Sequence, residues 1–239
     1  MTCLRTATFG SRGEISKFLG FTRALPNIPP MLETKLIHAA QPESKRLMIV
    51  LHGLGDSMAG YAWVPQVMPF PWLNYLLVNA PDEYFGGFSW YEYDGDAKTG
   101  VRRSIQLLSG LLDQQRQLDF PTEQTILFGF SQGCLMTLET GLRYPHLFAG
   151  LIGLSGYVLD PQTLLREASP AAKQQRVLAT HGRQDPLIPF ADVKKQMEQL
   201  KTGGIPIEWH EFDKPHTIIE EEIVLMRGFI AKAFGQAVG

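Results

Sequence analysis

At the centre of the chain stands Gly129-Phe130-Ser131-Gln132-Gly133, a G-x-S-x-G sequence. It follows Thr125–Phe128, a short run of β-prone apolar residues, and it precedes Cys134–Thr140, which is typical of a helix. A strand, a sharp turn and a helix in this order form a nucleophile elbow, in which a strained backbone lifts a serine hydroxyl clear of a sheet. A Cβ at either flanking position would crowd such a turn. The stretch therefore predicts Ser131 as a nucleophile; the alternative is an ordinary glycine-flanked turn.

A nucleophilic serine needs a histidine as its base and an acid that orients the histidine. Where the serine lies on an elbow, the acid and then the histidine follow it in the chain. Asp185 comes after the apolar run Arg176–His181, and His216 comes after the run Ile205–Phe212. Each thus lies in a loop just past a strand, and these two residues are the predicted acid and base. Asp213 remains an alternative acid, although it lies very close in sequence to His216.

A glycine-containing loop, His52-Gly53-Leu54-Gly55-Asp56-Ser57, follows the apolar strand Arg46–Leu51. In enzymes with a nucleophile elbow, a loop at this place donates one backbone N–H to the oxyanion, and the residue after the nucleophile donates the other. These rules assign Leu54 and Gln132 as the donors. Alone, the loop could be a plain glycine turn. With the elbow and the ordered acid and histidine, it predicts an acyl-transfer site.

The spacing of metal-ligand residues predicts neither a metal nor a cofactor. No two of the six histidines have H-x-x-x-H spacing, and Cys3 and Cys134 are too far apart to form a metal knuckle. His181, at the end of a strand, is interpreted as a structural hydrogen-bonding residue in the acid loop.

Composition favours an enzyme with one domain. A chain of 239 residues, 44% of them hydrophobic, can bury one sizeable core. A net charge of −2 argues against a nucleic-acid partner. Two cysteines give no disulfide framework, which favours a reducing, cytoplasmic compartment. No apolar run approaches the roughly 18 residues of a spanning helix, so membrane insertion is not expected.

Strands alternate with helices along the chain, which predicts an α/β fold with a mostly parallel sheet covered by helices on both faces. The expected strands lie near 33–39, 46–52, 74–79, 124–130, 149–155, 176–181 and 206–212. The expected helices lie near 59–68, 97–118, 131–143, 161–168, 189–203 and 217–234.

The first part of the chain differs in composition from the rest. Residues 1–30 carry four basic residues against the single acid Glu14, with several serines and threonines, as in transit peptides. Organellar import is one interpretation; the favoured one is a natural start at Met31. Three prolines (Pro26, Pro29 and Pro30) mark a linker. We therefore predict a poorly ordered leader and linker at 1–32 and a catalytic domain at 33–239.

The motifs, in this order, resemble those of the phospholipase/carboxylesterase family of α/β-hydrolases, which includes acyl-protein thioesterases, lysophospholipases and small carboxylesterases. They are Leu51–Asp56, Asn79–Pro81, Ser89–Tyr91, Gly129–Gly133, His181–Gly182, Asp185–Pro189 and His216, and the resemblance spans about 34–234. It implies a serine hydrolase that cleaves carboxylic esters or thioesters through an acyl-enzyme, with no cofactor and little or no lid. It also implies an acyl pocket bordered by Leu54, Trp90 and Leu187, although core packing is as good an interpretation of Trp90.

Two features depart from the family pattern. Cys134 stands where many members have a second glycine, and Phe85–Tyr93 is more aromatic than is usual. The second departure puts the substrate preference in doubt rather than the chemistry. A small-molecule or lipid-like acyl ester or thioester is the expected substrate, and either a monomer or a homodimer is possible.

Three other functions remain alternatives. A non-catalytic small-ligand receptor on the same scaffold would not need to keep the triad residues and both donor loops. A membrane-acting lipase would want an apolar lid, and no such insertion separates Ser131 from Asp185. A dienelactone-hydrolase-like enzyme would use a cysteine nucleophile.

Overall fold

A computed structural model describes residues 31–92 and 95–236. Apart from Met31 and Leu32, the predicted leader and linker at 1–32 lie outside the described residues. So does Tyr93, the last residue of the aromatic stretch.

The core of the fold is a seven-stranded sheet in the order β1-β3-β2-β6-β7-β8-β9. Only β1 runs antiparallel to its neighbour, β3; every other pair of neighbours is parallel. The strands are β1 (Thr34–Ile37), β2 (Leu47–Leu51), β3 (Asn74–Val78), β6 (Thr125–Phe130), β7 (Gly150–Leu154), β8 (Val177–Gly182) and β9 (Ile207–Phe212). The prediction of a mostly parallel sheet is confirmed.

The inner strands are apolar at every position because both faces of the sheet are covered. Strand β2 shows this clearly. Leu47, Ile49 and Leu51 pack into the core on one face, whereas Met48 and Val50 pack into the core on the other.

Within the described residues, six α-helices cover the two faces: α1 (Val64–Val67), α2 (Ala97–Gln117), α3 (Gln132–Gly141), α4 (Pro161–Glu167), α5 (Phe190–Thr202) and α6 (Glu220–Ala233). Apolar side chains of α2 to α5 belong to the first core, and those of α1 and α6 to the second. All ten residues of α3 are buried, since this helix lies against both the sheet and α2.

Three local features differ from the sequence prediction. The helix expected near 59–68 shrinks to the single turn α1, because Pro65 has no N–H with which to continue the preceding turns. Helix α6 begins at Glu220 rather than near 217. The residue before it, Ile219, is the N-cap, and its N–H donates to the Glu222 carboxylate (3.1 Å). The hairpin of β4 (Asp82–Tyr84) and β5 (Gly87–Ser89) was not predicted. Its turn has positive φ at Phe85, where asparagine or glycine is the usual signal.

The sheet brings the predicted functional loops to one edge. Ser131 follows β6, the central strand, and the loop containing Leu54 follows its neighbour β2. Asp185 follows β8, and His216 follows β9. All four strands are parallel, so their carboxyl ends meet at the edge where open α/β sheets bind ligands.

Candidate active site

Ser131 lies on a strained turn between β6 and α3. Its φ of 55° and ψ of −116° are unusual for a residue with a side chain. The flanking glycines are required by close approach: a Cβ on Gly129 would lie 2.0 Å from the carbonyl oxygen of Gly133, and a Cβ on Gly133 would lie 2.1 Å from that of Leu51. The backbone N–H of Ser131 donates to the carbonyl of Leu154 (3.0 Å), which ties the turn to β7.

Three of the predicted side chains form one hydrogen-bonded chain. His216 Nε2 lies 2.9 Å from Ser131 Oγ, and His216 Nδ1 lies 2.7 Å from Asp185 Oδ2. The other carboxylate oxygen, Asp185 Oδ1, accepts the N–H groups of Leu187 (2.9 Å) and Ile188 (3.0 Å). The acid is thereby fixed in the orientation that receives the imidazole.

Burial by itself would raise the pKa of the Asp185 carboxyl. The hydrogen bond from His216 and those from the two backbone N–H groups outweigh burial, so the pKa lies below its ordinary value. A carboxylate beside the histidine is therefore ionised at neutral pH.

The alternative acid, Asp213, has a different environment. It is 72% exposed, and its Oδ1 lies 3.0 Å from Arg183 Nη1. The structure thus brings Asp185 to His216 and leaves Asp213 in a surface ion pair.

His181 stabilises the acid loop. Its Nε2 lies 2.9 Å from the carbonyl oxygen of Ile188, and because a carbonyl can only accept, Nε2 carries the proton. The same nitrogen lies 3.6 Å from Asp185 Oδ2. Burial lowers the pKa of His181, which keeps the ring neutral. This geometry agrees with its interpretation as a structural residue.

The loop after β2 lies against the elbow. A Cβ on Gly53 would lie 3.4 Å from the Cβ of Ser131. Neither the Leu54 N–H nor the Gln132 N–H donates to an acceptor among the described residues. Two free donors near a serine hydroxyl are what an oxyanion site requires.

His52 controls the orientation of this loop, a role that sequence reasoning missed. The N–H of Ala80 donates to its Nε2 (3.0 Å), so the proton lies on Nδ1, 2.7 Å from the carbonyl oxygen of Gly53. Burial lowers the pKa of the ring and keeps it neutral. In a trans peptide the C=O and the next N–H point in opposite directions. His52 therefore turns the Leu54 N–H away from itself by holding the Gly53 carbonyl.

The side chain of Gln132 fixes the segment around Trp90. Its Oε1 accepts the N–H of Trp90 (3.0 Å), and its Nε2 donates to the carbonyl of Tyr91 (3.1 Å). The indole N–H of Trp90 donates to the carbonyl of His52 (2.9 Å). Trp90 is fully buried, which favours the core-packing interpretation over a place on the wall of a pocket. Leu187, by contrast, is 64% exposed beside the acid, and Leu54 is partly buried.

A buried lysine supports the loop of His216, and no sequence signal distinguished it from a solvated loop residue. Lys214 Nζ donates to the carbonyl of Thr217 (2.6 Å) and to Ser155 Oγ (2.9 Å). It also lies 2.7 Å from the Glu222 carboxylate. The ammonium group of Lys214 thus binds the carbonyl of Thr217, and His216 lies between these two residues in the chain.

Cys134 is accommodated because it packs against two glycines of the neighbouring segment. A Cβ on Gly153 would lie 2.7 Å from Cys134 Sγ, and one on Gly156 would lie 2.4 Å from Cys134 Cβ. Burial raises the pKa of the Cys134 thiol to about 12, so the group is a neutral packing residue. The departure from glycine thus leaves the elbow intact.

Comparisons with known proteins agree with this fold. Residues 32–234 match the family model described as Phospholipase/Carboxylesterase. The acyl-protein thioesterase 1 of Schizosaccharomyces pombe is 30% identical over 207 residues, which cover 79% of this chain and 91% of that protein. The acyl-protein thioesterase 1 of Kluyveromyces lactis is 31% identical over 191 residues, covering 71% and 83%. The crystal structure of esterase PE8 is 28% identical with a TM-score of 0.77, covering 85% of this chain and 100% of that one.

The mostly parallel sheet and the serine elbow at its carboxyl edge define an α/β-hydrolase. Within that class, the chain belongs to the phospholipase/carboxylesterase family. It is a serine hydrolase that acts on carboxylic esters or thioesters, as the resemblance predicted. In residues 31–92 and 95–236, no helix has both the length and the hydropathy needed to cross a bilayer.

Proposed function

We propose that Ser131, His216 and Asp185 form the catalytic triad of this enzyme and that the N–H groups of Leu54 and Gln132 bind the oxyanion. The observation that carries the proposal is the continuous hydrogen-bonded chain from Ser131 Oγ through His216 to Asp185. It begins at a serine on a strained turn beside two free backbone donors.

Acylation begins when Ser131 Oγ attacks the carbonyl carbon of an ester or thioester. His216 Nε2 takes the hydroxyl proton, and Asp185 stabilises the imidazolium through Nδ1. The Leu54 and Gln132 N–H groups stabilise the negative charge on the tetrahedral oxygen; losing one such donor typically slows catalysis by about 10²–10³-fold. The intermediate collapses, His216 protonates the departing alcohol or thiol, and the acyl group stays on Ser131.

Deacylation repeats these steps with water. His216 takes a proton from a water molecule that attacks the acyl-enzyme, and the second tetrahedral intermediate expels Ser131 Oγ. The serine recovers its proton from His216, and the carboxylic acid leaves. The proton transfers to and from Ser131 Oγ use its 2.9 Å contact with His216 Nε2.

Leu54 and Leu187 are proposed to border the acyl group, since one lies in the donor loop and the other is exposed beside the acid. The relatives named acyl-protein thioesterase 1 support an acylated substrate, and we propose a small-molecule or lipid-like acyl ester or thioester. The buried free thiol of Cys134 supports a cytoplasmic location. A monomer or a homodimer is compatible with this function.

The experiment that tests the triad is the variant Ser131→Ala. We expect it to lose ester hydrolysis and labelling by a fluorophosphonate probe while its circular dichroism and melting temperature stay those of the wild type. Substrates for this assay are p-nitrophenyl esters of rising chain length, acyl-thioesters and lysophospholipids. Equal labelling of the variant and the wild type would refute the assignment of the nucleophile, whereas a wild type that neither hydrolyses these substrates nor reacts with the probe would favour the non-catalytic receptor.

A further inference from the structure

A groove of about 420 Å³ opens beside His216. Aromatic side chains of Tyr61, Trp63 and Phe130 form much of its wall, and Asp56 is the only acidic residue among the described lining residues. The rings of Tyr61 and Trp63 have centroids 6.0 Å apart, with their planes inclined at 37°. The groove therefore combines three aromatic side chains and the aliphatic Ile218 and Ile223 with one carboxylate.

The position of His216 connects this groove to one part of the substrate. In the proposed mechanism His216 Nε2 protonates the leaving group, so that group must lie on the histidine's side of the reacting carbon. The groove is lined by His216 and continues along Thr217 and Ile218. Leu54 and Leu187, the proposed borders of the acyl group, do not line it.

The charge of Asp56 is not neutralised within the described part of the chain. Its Oδ1 accepts the N–H of Ser57 (2.7 Å). Asp56 joins none of the ion pairs formed by the described residues. An unneutralised carboxylate in a groove that a tryptophan and a tyrosine also line is the combination that attracts alkylated ammonium groups, through charge and through cation–π contact.

We propose that this groove binds the leaving group of the substrate and favours leaving groups with a cationic end, of the alkylammonium or quaternary-ammonium class, on a short aliphatic stem. The inference rests on the proposed function, because it places the leaving group on the His216 side of the proposed triad. During acylation the bond from the carbonyl carbon to the leaving oxygen or sulfur breaks, and His216 gives that atom its proton. The ammonium end keeps its charge and stays beside Asp56 until the alcohol or thiol departs.

The test compares two thioesters with the same acetyl group. Acetylthiocholine carries a quaternary ammonium, and S-(3,3-dimethylbutyl) thioacetate is its uncharged isostere; both release a thiol that is followed colorimetrically. We expect Asp56→Asn to lower the ratio of their kcat/KM values about 3- to 10-fold relative to the wild type. The two thioesters differ in intrinsic reactivity, but this difference is the same for every variant. Only the change in the ratio between variants is therefore interpreted. Asparagine retains an oxygen that can accept the Ser57 N–H.

Two further variants separate direct contact from a general effect of charge. Trp63→Leu should also lower the ratio, since it removes an aromatic face without changing charge. Glu83→Gln removes one negative charge at the exposed position of strand β4, outside the groove, and should leave the ratio unchanged. An equal fall for Glu83→Gln, or a ratio that Asp56→Asn leaves unchanged, would overturn the proposal. So would a change only in acyl-chain preference, which would make the groove an acyl site.

Failure of the triad assignment gives a different result. If Ser131→Ala hydrolysed both thioesters like the wild type, the proposed function would fail. Binding of choline itself, measured by the broadening of its proton NMR signals in the presence of protein, then decides the inference. Binding that weakens in Asp56→Asn supports the cationic site, and binding that is the same in both proteins refutes it.

Discussion

The Nζ of Lys214 lies 2.7 Å from the Glu222 carboxylate, and the two side chains are only 1% and 0% exposed. The pair joins the loop after β9 to the start of α6. Thr180 Oγ1 donates a further hydrogen bond to Glu222, and Lys214 also holds Ser155 and Thr217. Since His216 lies between Lys214 and Thr217 in the chain, this ion pair anchors the loop that carries the imidazole.

Replacing only one member of the pair should be costly. Lys214→Met leaves the Glu222 carboxylate buried without its cation, and breaking a buried pair in this way typically costs about 3–5 kcal/mol. We expect urea unfolding to show a loss of that order in the free energy of unfolding. The double variant Lys214→Met/Glu222→Leu should be less destabilised than the single one. A loss below about 1 kcal/mol for Lys214→Met would contradict this role.

The two candidate acids can be distinguished by matched variants. Asp185→Asn should lower kcat by about three to four orders of magnitude, because an amide favours the wrong tautomer of His216. Asp213→Asn removes only a surface ion pair with Arg183 and should change kcat less than twofold. Steady-state kinetics with p-nitrophenyl acetate measure both. The reverse ranking would make Asp213 the acid.

The role of His52 predicts a particular kinetic pattern. His52→Leu should leave the Gly53 carbonyl without the imidazole donor and the Ala80 N–H without an acceptor. The Leu54 N–H would then lose its fixed direction, with a loss in kcat that approaches the 10²–10³-fold typical of a missing oxyanion donor. KM should change little, because the donor acts on the transition state. An effect confined to KM would show that His52 only shapes the binding surface.

Acid should destabilise the fold through two buried histidines. The pKa values of His52 and His181 are lowered by burial, so the unfolded chain binds protons more readily than the native one. Their contribution to stability is complete above the ordinary pKa of about 6.5 and is lost as the pH falls below it, by up to about 1.4 kcal/mol per pH unit for each group. Urea unfolding of the wild type at pH 7.5 and 5.5 measures this loss, and His181→Gln should reduce it. An unchanged difference in that variant would exclude His181 as a source.

Cys134 should be inert in the native state. The pKa of its buried thiol is raised to about 12, and the thiolate is the reactive form. In a Cys3→Ser background, Cys134 should react with a disulfide reagent such as DTNB only when urea unfolds the protein. Rapid labelling of the folded protein would show that α3 opens locally near the elbow.

The motifs of the proposed site were readable in the chain because each depends on local chemistry. Glycines on both sides of Ser131 are needed by the turn itself, and a polar residue just after an apolar run indicates the end of a strand. The same reasoning located every strand of the main sheet to within about two residues. It failed for the hairpin at 82–89, since Phe85 occupies a turn position where asparagine or glycine is the usual signal, and for α1, whose helical pattern Pro65 interrupts.

The chain order of serine, acid and histidine, together with the glycine-flanked elbow, was sufficient to predict the class of chemistry, and the alternation of strands and helices was sufficient to predict the parallel sheet. These features are local, so they can be recognised without knowing which segments meet. The roles of Lys214 and His52, the burial of Trp90 and the surface ion pair of Asp213 appeared only in the tertiary structure. Each depends on contacts between segments far apart in the chain, and such contacts determine whether a lysine is a solvated loop residue or a buried cation beside the loop of His216.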